Sequence, residues 1–244
     1  MLSFLGIGAQ KAGTTWLYQQ LRQHPDLAFP RGKEVHFWNN PHDEAAVAAY
    51  LGSFAQTRAV AGEITPAYGI LPPEVITEIY RQAPGLRLIY LVRNPIERAW
   101  SAAKMDCLRG GMRLDEAGEQ WFIDHFRSAG SRMRGDYRTC LRHWRSVFPA
   151  EQLLVLCFEE IRNAPEALLN RCFSHLGVTS RDPEELRRWG CRKAVRAGDP
   201  SPLPRRLLAE LQALYEEDFR QYGADFNLDP AAWSAPEVVH GSGA

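Results

Sequence analysis

The segment GAQKAGTT, residues 8–15, sets a glycine, four residues, a second glycine and two threonines between an apolar run and an amphipathic one. Glycines at this spacing let the backbone close in on an anion, and the N-terminus of a helix adds N–H groups and its dipole. A nucleoside-triphosphate loop puts lysine directly after the second glycine, to reach the β- and γ-phosphates, and then a hydroxyl that holds magnesium. Here Thr14 takes that place, and the lysine, Lys11, comes two residues before Gly13. No apolar run ends in an aspartate pair that would serve as a metal-holding second motif. The loop suits a shorter, metal-free anionic chain; a plain strand-to-helix turn is the competing reading.

Two further constellations carry chemistry. Arg93 ends the most apolar run, LRLIYLV, and Ser101 lies two turns into the helix that NPIER begins. An arginine fork with a hydroxyl suits a phosphomonoester dianion; a salt bridge from Arg93 to Glu97 is the alternative. In KEVHFW, residues 33–38, strand alternation would put Glu34 and His36 on one face. A carboxylate half-buried by Phe37 and Trp38 would have its pKa raised toward the range of a general base. His36 titrates near neutrality without any perturbation.

These residues need a frame to hold them. Apolar runs at 3–7, 59–63, 86–92 and 153–158 read as buried strands. Helical patterns occupy 14–23, 43–54, 73–82, 95–107, 137–147, 165–176 and 204–222. The alternation predicts an α/β fold, a parallel sheet with helices on both faces and right-handed crossovers. The 244 residues suffice for a single domain, read as 1–230, with 231–244 a disordered tail. The formal net charge is zero, so no global field recruits nucleic acid or membrane, and an anion site must be local. No apolar run reaches membrane-spanning length, and MLSFLGIGAQ reads as a first strand, not a signal peptide. Five scattered cysteines without a C-x-x-C pair predict free thiols, a reducing compartment and no zinc.

Taken together, QKAGTTWLYQQLRQHPDL resembles the 5′-phosphosulfate loop of sulfotransferases that use 3′-phosphoadenosine 5′-phosphosulfate (PAPS), and LIYLVRNPIERAWSAAKMD resembles their 3′-phosphate motif. KEVHFWN, GEITPAYG and DYRTCLRHWRSVFPAEQLLVLCFEEI resemble segments of the carbohydrate and bacterial branch, the heparan-sulfate type. The likeness runs over most of residues 3–176 and implies a P-loop-like sheet. It implies that Lys11 meets the charge developing on the leaving phosphate, and that Ala12, Gly13, Thr14 and Thr15 hold the 5′-phosphate. Trp16 matches a position that stacks on adenine in the cytosolic branch; a core tryptophan at a helix start is the other reading. Arg93 and Ser101 would take the 3′-phosphate. Glu34 matches the family's general base and is preferred to His36 on that ground.

The chain also departs from the family pattern. Ile64 stands where the glycosaminoglycan enzymes usually have lysine. The basic segment 187–206 lacks the familiar spacing, so Arg192, Lys193 and Arg196 clamp the 3′-phosphate or form a merely solvated loop. Cys191 has no obvious disulfide partner. The resulting expectation is a cytoplasmic, bacterial PAPS-dependent sulfotransferase that leaves 3′-phosphoadenosine 5′-phosphate (PAP). It would need no metal and would act on a glycan, lipid or small-molecule acceptor. A P-loop small-molecule kinase with a degenerate loop and a non-catalytic nucleotide-binding protein are the alternatives. Residues 106–136 are expected to cover the acceptor cleft, and their mixed charge and aromatics select no acceptor.

Overall fold

The computed structural model describes residues 1–193, 198–226 and 233. Its five strands are β1 (Leu2–Gly8), β2 (Leu27–Ala28), β3 (Val60–Ile64), β4 (Arg87–Val92) and β5 (Leu153–Cys157). They form one parallel sheet in the order β2-β3-β1-β4-β5. The helices are α1 (Thr14–Leu21), α2 (Glu44–Phe54), α3 (Pro73–Gln82), α4 (Pro95–Arg109), α5 (Glu119–Arg127), α6 (Ala129–Gly135), α7 (Tyr137–Arg145), α8 (Phe158–Asn163), α9 (Pro165–Leu176), α10 (Pro183–Arg188) and α11 (Arg205–Phe226). The chain divides into two compact units, residues 1–92 with 139–196, and residues 93–138 with 197–244.

The first unit contains the whole sheet. β1 lies at its centre because Phe4, Leu5 and Ile7 are fully buried, as a strand covered on both faces requires. β4 behaves the same way: only Arg87, its first residue, reaches solvent. The chain moves one way along the sheet from β1 to β2 and the other way from β2 to β3 and β3 to β4. Right-handed crossovers then set α1 on the face opposite α2 and α3. The expected strands and long helices all form, most with ends within two residues. Cys157 ends β5, and Phe158 opens α8 instead of extending the strand.

The second unit is helical. Ile96 and Trp100 of α4, Phe122 and Phe126 of α5, and Leu211 and Tyr215 of α11 form its apolar core. Arg98 is buried there and donates to the Ser131 carbonyl at 3.0 Å, which ties α4 to α6. The proline-rich segment 198–204 is irregular, and α4 holds it. Trp100 Nε1 donates to the Ser201 carbonyl at 3.1 Å, and the Lys104 ammonium donates to the carbonyls of Asp199 and Ser201. Of the expected tail only Trp233 falls within the described residues, where its carbonyl accepts from Asn94 Nδ2 at 3.0 Å.

Candidate active site

β1 runs directly into the candidate anion loop. Lys11 sits at φ 69° and Gly13, the residue before α1, at φ 89°. Gly13 is fixed by more than its dihedral: a Cβ there would lie 2.6 Å from Ile161 Cδ1 and 3.0 Å from Phe158 Cδ2 of α8. Glycine lets the loop pass under α8 into the first turn of α1, where the N–H groups of Thr14 and Thr15 lie. The first N–H groups of a helix have no partner within it. Ala12 and Thr14 are buried, Lys11 and Thr15 half-buried. This donor set of amides, a hydroxyl and one ammonium fits the 5′-phosphosulfate end of PAPS.

Residues 33–38 are not the alternating strand expected. Lys33 forms a single bridge to Ile64, Glu34 and His36 turn left-handed at φ 60° and 57°, and Phe37–Asn39 make a short 3-10 turn. Alternation therefore does not decide where the two side chains point. An observed partner of the Glu34 carboxylate is a lysine. The Glu34 side chain is 47% exposed and meets the Lys33 ammonium, while the Phe37 ring stacks on Tyr50 and His42. The segment nevertheless lies at the sheet's carboxyl edge. Glu34 N–H donates to the Ile64 carbonyl at 2.9 Å, and Thr65 N–H to the Gly6 carbonyl of neighbouring β1. His36 is exposed, with Nδ1 3.0 Å from Asn39 Oδ1.

A residue that the sequence reading passed over anchors this edge. Glu63 is fully buried in β3. Its Oε1 accepts from the Tyr50 and Tyr68 hydroxyls at 2.5 and 3.0 Å, and Oε2 from Thr65 Oγ1 at 2.8 Å. Burial pushes its carboxyl up, and these hydroxyls and the Val35 N–H oppose that shift. The available signal was a lone carboxylate in an apolar strand, VAGEI.

Trp16 packs into the core of the free protein. It is 4% exposed, and its Nε1 donates to the Cys191 carbonyl at 2.9 Å. That bond ties down the basic segment at Cys191. Arg192 spends its fork on Glu166, at 2.7 and 2.9 Å, and Arg187 adds a third bond at 3.0 Å. Burial alone would raise the Glu166 carboxyl, but the bonds from Arg192 and Arg187 hold it at about 2. The free protein thus directs Arg192 to a carboxylate. Lys193 is exposed, and Arg196 lies outside the described residues.

In the second unit Arg93 follows the last residue of β4 directly. Its Nε and Nη2 donate to Glu97 Oε2 at 3.1 and 2.8 Å, so the alternative salt bridge is present. Tyr137 donates to the Arg93 carbonyl at 2.8 Å, and Ser101 is half-buried two turns along α4. Among the described residues no group of three or more His, Cys, Asp or Glu is arranged to hold a metal ion, and no helix is long and apolar enough to cross a membrane.

The parallel sheet, with a phosphate-type loop after its central strand, defines a P-loop-like α/β protein. Residues 3–189 match the sulfotransferase domain, and the chain belongs to the sulfotransferase family, whose members use PAPS. Mouse heparan sulfate glucosamine 3-O-sulfotransferase 6 is 27% identical over 250 residues, which cover 91% of this chain and 72% of that protein. The human protein of the same name is 29% identical over 177 residues, 70% of this chain and 51% of its own. The chain thus spans about half the length of that human relative. Among crystal structures, a sulfotransferase from Alicyclobacillus acidocaldarius superposes with a TM-score of 0.71 at 24% identity, covering 96% of this chain and 99% of that one. Mouse sulfotransferase SULT7A1 complexed with PAP gives 0.64 at 17% identity, with 96% and 89% covered. Both share the fold.

Proposed function

We propose that the protein transfers the sulfuryl group of PAPS to a hydroxyl or amine of a glycan or small-molecule acceptor, with Glu34 as general base and Lys11 at the leaving phosphate. One arrangement carries this reading: the segment bearing Glu34 hangs from Ile64 at the carboxyl end of β3, beside the end of β1 that opens into the Lys11 loop. The acceptor gives its proton to the Glu34 carboxylate as its lone pair bonds to sulfur. The S–O bond to the 5′-phosphate breaks, and the electron pair stays on that phosphate. The Lys11 ammonium offsets the charge developing there. With Ile64 in place of a second lysine, Lys11 carries this role alone or with His36. The names of the relatives, heparan sulfate glucosamine sulfotransferases, favour a glycan acceptor. Five free, buried thiols favour a reducing, cytoplasmic setting.

His36 is the second candidate base, because the bond between its Nδ1 and Asn39 orients an exposed ring. Steady-state transfer across pH separates the two. Glu34→Gln is expected to lower kcat by about 10²–10⁴ and to erase the low-pH limb, with PAP affinity retained. If His36→Asn removes that limb and Glu34→Gln leaves the rate intact, His36 is the base. If neither substitution changes the rate, residues 33–38 are structural.

A further inference from the structure

Glu63 sits where a leucine or valine would be the easier choice. A carboxylate in the middle of a buried strand must be compensated by donors, and an apolar residue of similar size needs none. Two of its donors, Thr65 and Tyr68, do a second job. Thr65 Oγ1 accepts from the His36 N–H at 3.4 Å, and Tyr68 Oη accepts from the Trp38 N–H at 3.4 Å. A hydroxyl can point its proton either way. Glu63, when ionised, only accepts, so it draws both protons toward itself and turns both oxygens' lone pairs outward to the amides. The Val35 N–H also favours the charged carboxylate. Two backbone amides of residues 36–38 therefore depend on one buried side chain.

That segment needs holding. Glu34 and His36 are both left-handed, a conformation that non-glycine residues avoid. Bonds of 3.4 Å are weak individually. Their strength here comes from being pre-aimed.

We infer that Glu63 is a positioning residue for sulfuryl transfer: through Thr65 and Tyr68 its buried carboxylate locks residues 34–38 into the paired left-handed turn that presents Glu34 and His36 at the sheet edge. The inference rests on the proposed base lying in this segment. Tyr50 is the third hydroxyl on the carboxylate; its ring stacks on Phe37 at 4.1 Å between centroids, so the same cluster grips the segment's apolar side.

The test reads backbone amide hydrogen exchange alongside kinetics. Glu63→Gln replaces one acceptor oxygen with an N–H₂ donor and should speed exchange at His36 and Trp38 by about tenfold to a hundredfold, with β1 and β4 unchanged. kcat should fall by about a hundredfold, the cost of a misplaced catalytic group, while PAP affinity stays within about twofold. Thr65→Val should free the His36 amide more than that of Trp38, and Tyr68→Phe the reverse, whereas Thr65→Ser restores wild-type exchange. In a Glu34→Gln background, Glu63→Gln should cost little more. Unchanged exchange at His36 and Trp38 in folded Glu63→Gln overturns the inference, as does full additivity with Glu34→Gln. Should Glu63→Gln not fold, the residue-specific pattern in Thr65→Val and Tyr68→Phe decides, and its absence overturns it. If Glu34→Gln and His36→Asn both leave the rate intact, the proposed base has failed; exchange alone then says whether Glu63 holds the segment.

Discussion

Trp16 Nε1 donates to the carbonyl of Cys191 at 2.9 Å, joining the first turn of α1 to a residue 175 positions further along the chain. The bond lies inside the first unit and sets the backbone just ahead of Arg192 and Lys193. In the free protein the indole N–H is thus engaged and the ring is 4% exposed, so a core role for Trp16 predicts little effect on nucleotide binding.

Trp16→Phe tests this directly. It removes the donor and part of the ring, so unfolding free energy should fall by roughly 1–3 kcal/mol in urea titrations. PAP affinity by calorimetry should change little. A large loss of affinity at unchanged stability would return the ring to adenine stacking.

Gly13→Ala meets two obstacles, a left-handed φ and Ile161 Cδ1 at 2.6 Å. We expect a loss of about 1–2 kcal/mol from the dihedral, with further loss from the clash. Ile161→Ala added to Gly13→Ala should recover the clash part and not the dihedral part. Thermal melts of the single and double variants measure both; a double variant no better than the sum of the singles excludes the contact.

Arg93→Ala should weaken PAP binding by roughly 1.5–3 kcal/mol, the worth of hydrogen bonds to a charged group, and Ser101→Ala by less. If the two residues take the 3′-phosphate, as the family likeness implies, neither should slow the chemical step once donor saturates the enzyme, because that phosphate is remote from sulfur. Single-turnover rates that collapse at constant affinity would show that these residues have another role.

Glu166 gives stability a pH dependence. Its folded carboxyl titrates at about 2, below its ordinary 4.5. Its contribution is therefore full above about pH 4.5 and is lost as pH falls through about 2. Glu166→Gln should be less stable than wild type near neutral pH by roughly 1.5 kcal/mol, the low end for charged bonds because both arginines are half exposed. Urea midpoints should converge as pH falls across that window. A gap that persists undiminished at its acid end would show that the carboxylate charge is not what Glu166 contributes.

The strands and long helices were legible because burial on both faces leaves unbroken apolar runs such as LRLIYLV, and because Asn94 and proline mark the start of α4. β2 has two residues, too few to show a period. α5 and α6 meet at Ser128 without a linker, so their patterns merge into one charged stretch. The Lys11 loop could be read from its glycines. The Glu34 segment was misread as a strand because its composition suits one; its left-handed turns are imposed by β3 and the residues just after it, which no local pattern records. Glu63 stayed hidden because its partners Tyr50, Thr65 and Tyr68 come together only in the folded sheet.

All five cysteines are free and lie in buried residues, none more than 8% exposed. Burial pushes the Cys157 and Cys172 thiols up to about 12, so the reactive thiolate is scarce at neutral pH. A thiol reagent in bulk water consequently labels molecules caught with part of the chain open. The five sulfurs are spread over α4, α7, β5, α9 and the turn after α10. The order in which they are labelled is then a built-in chronometer of which elements of the fold breathe first.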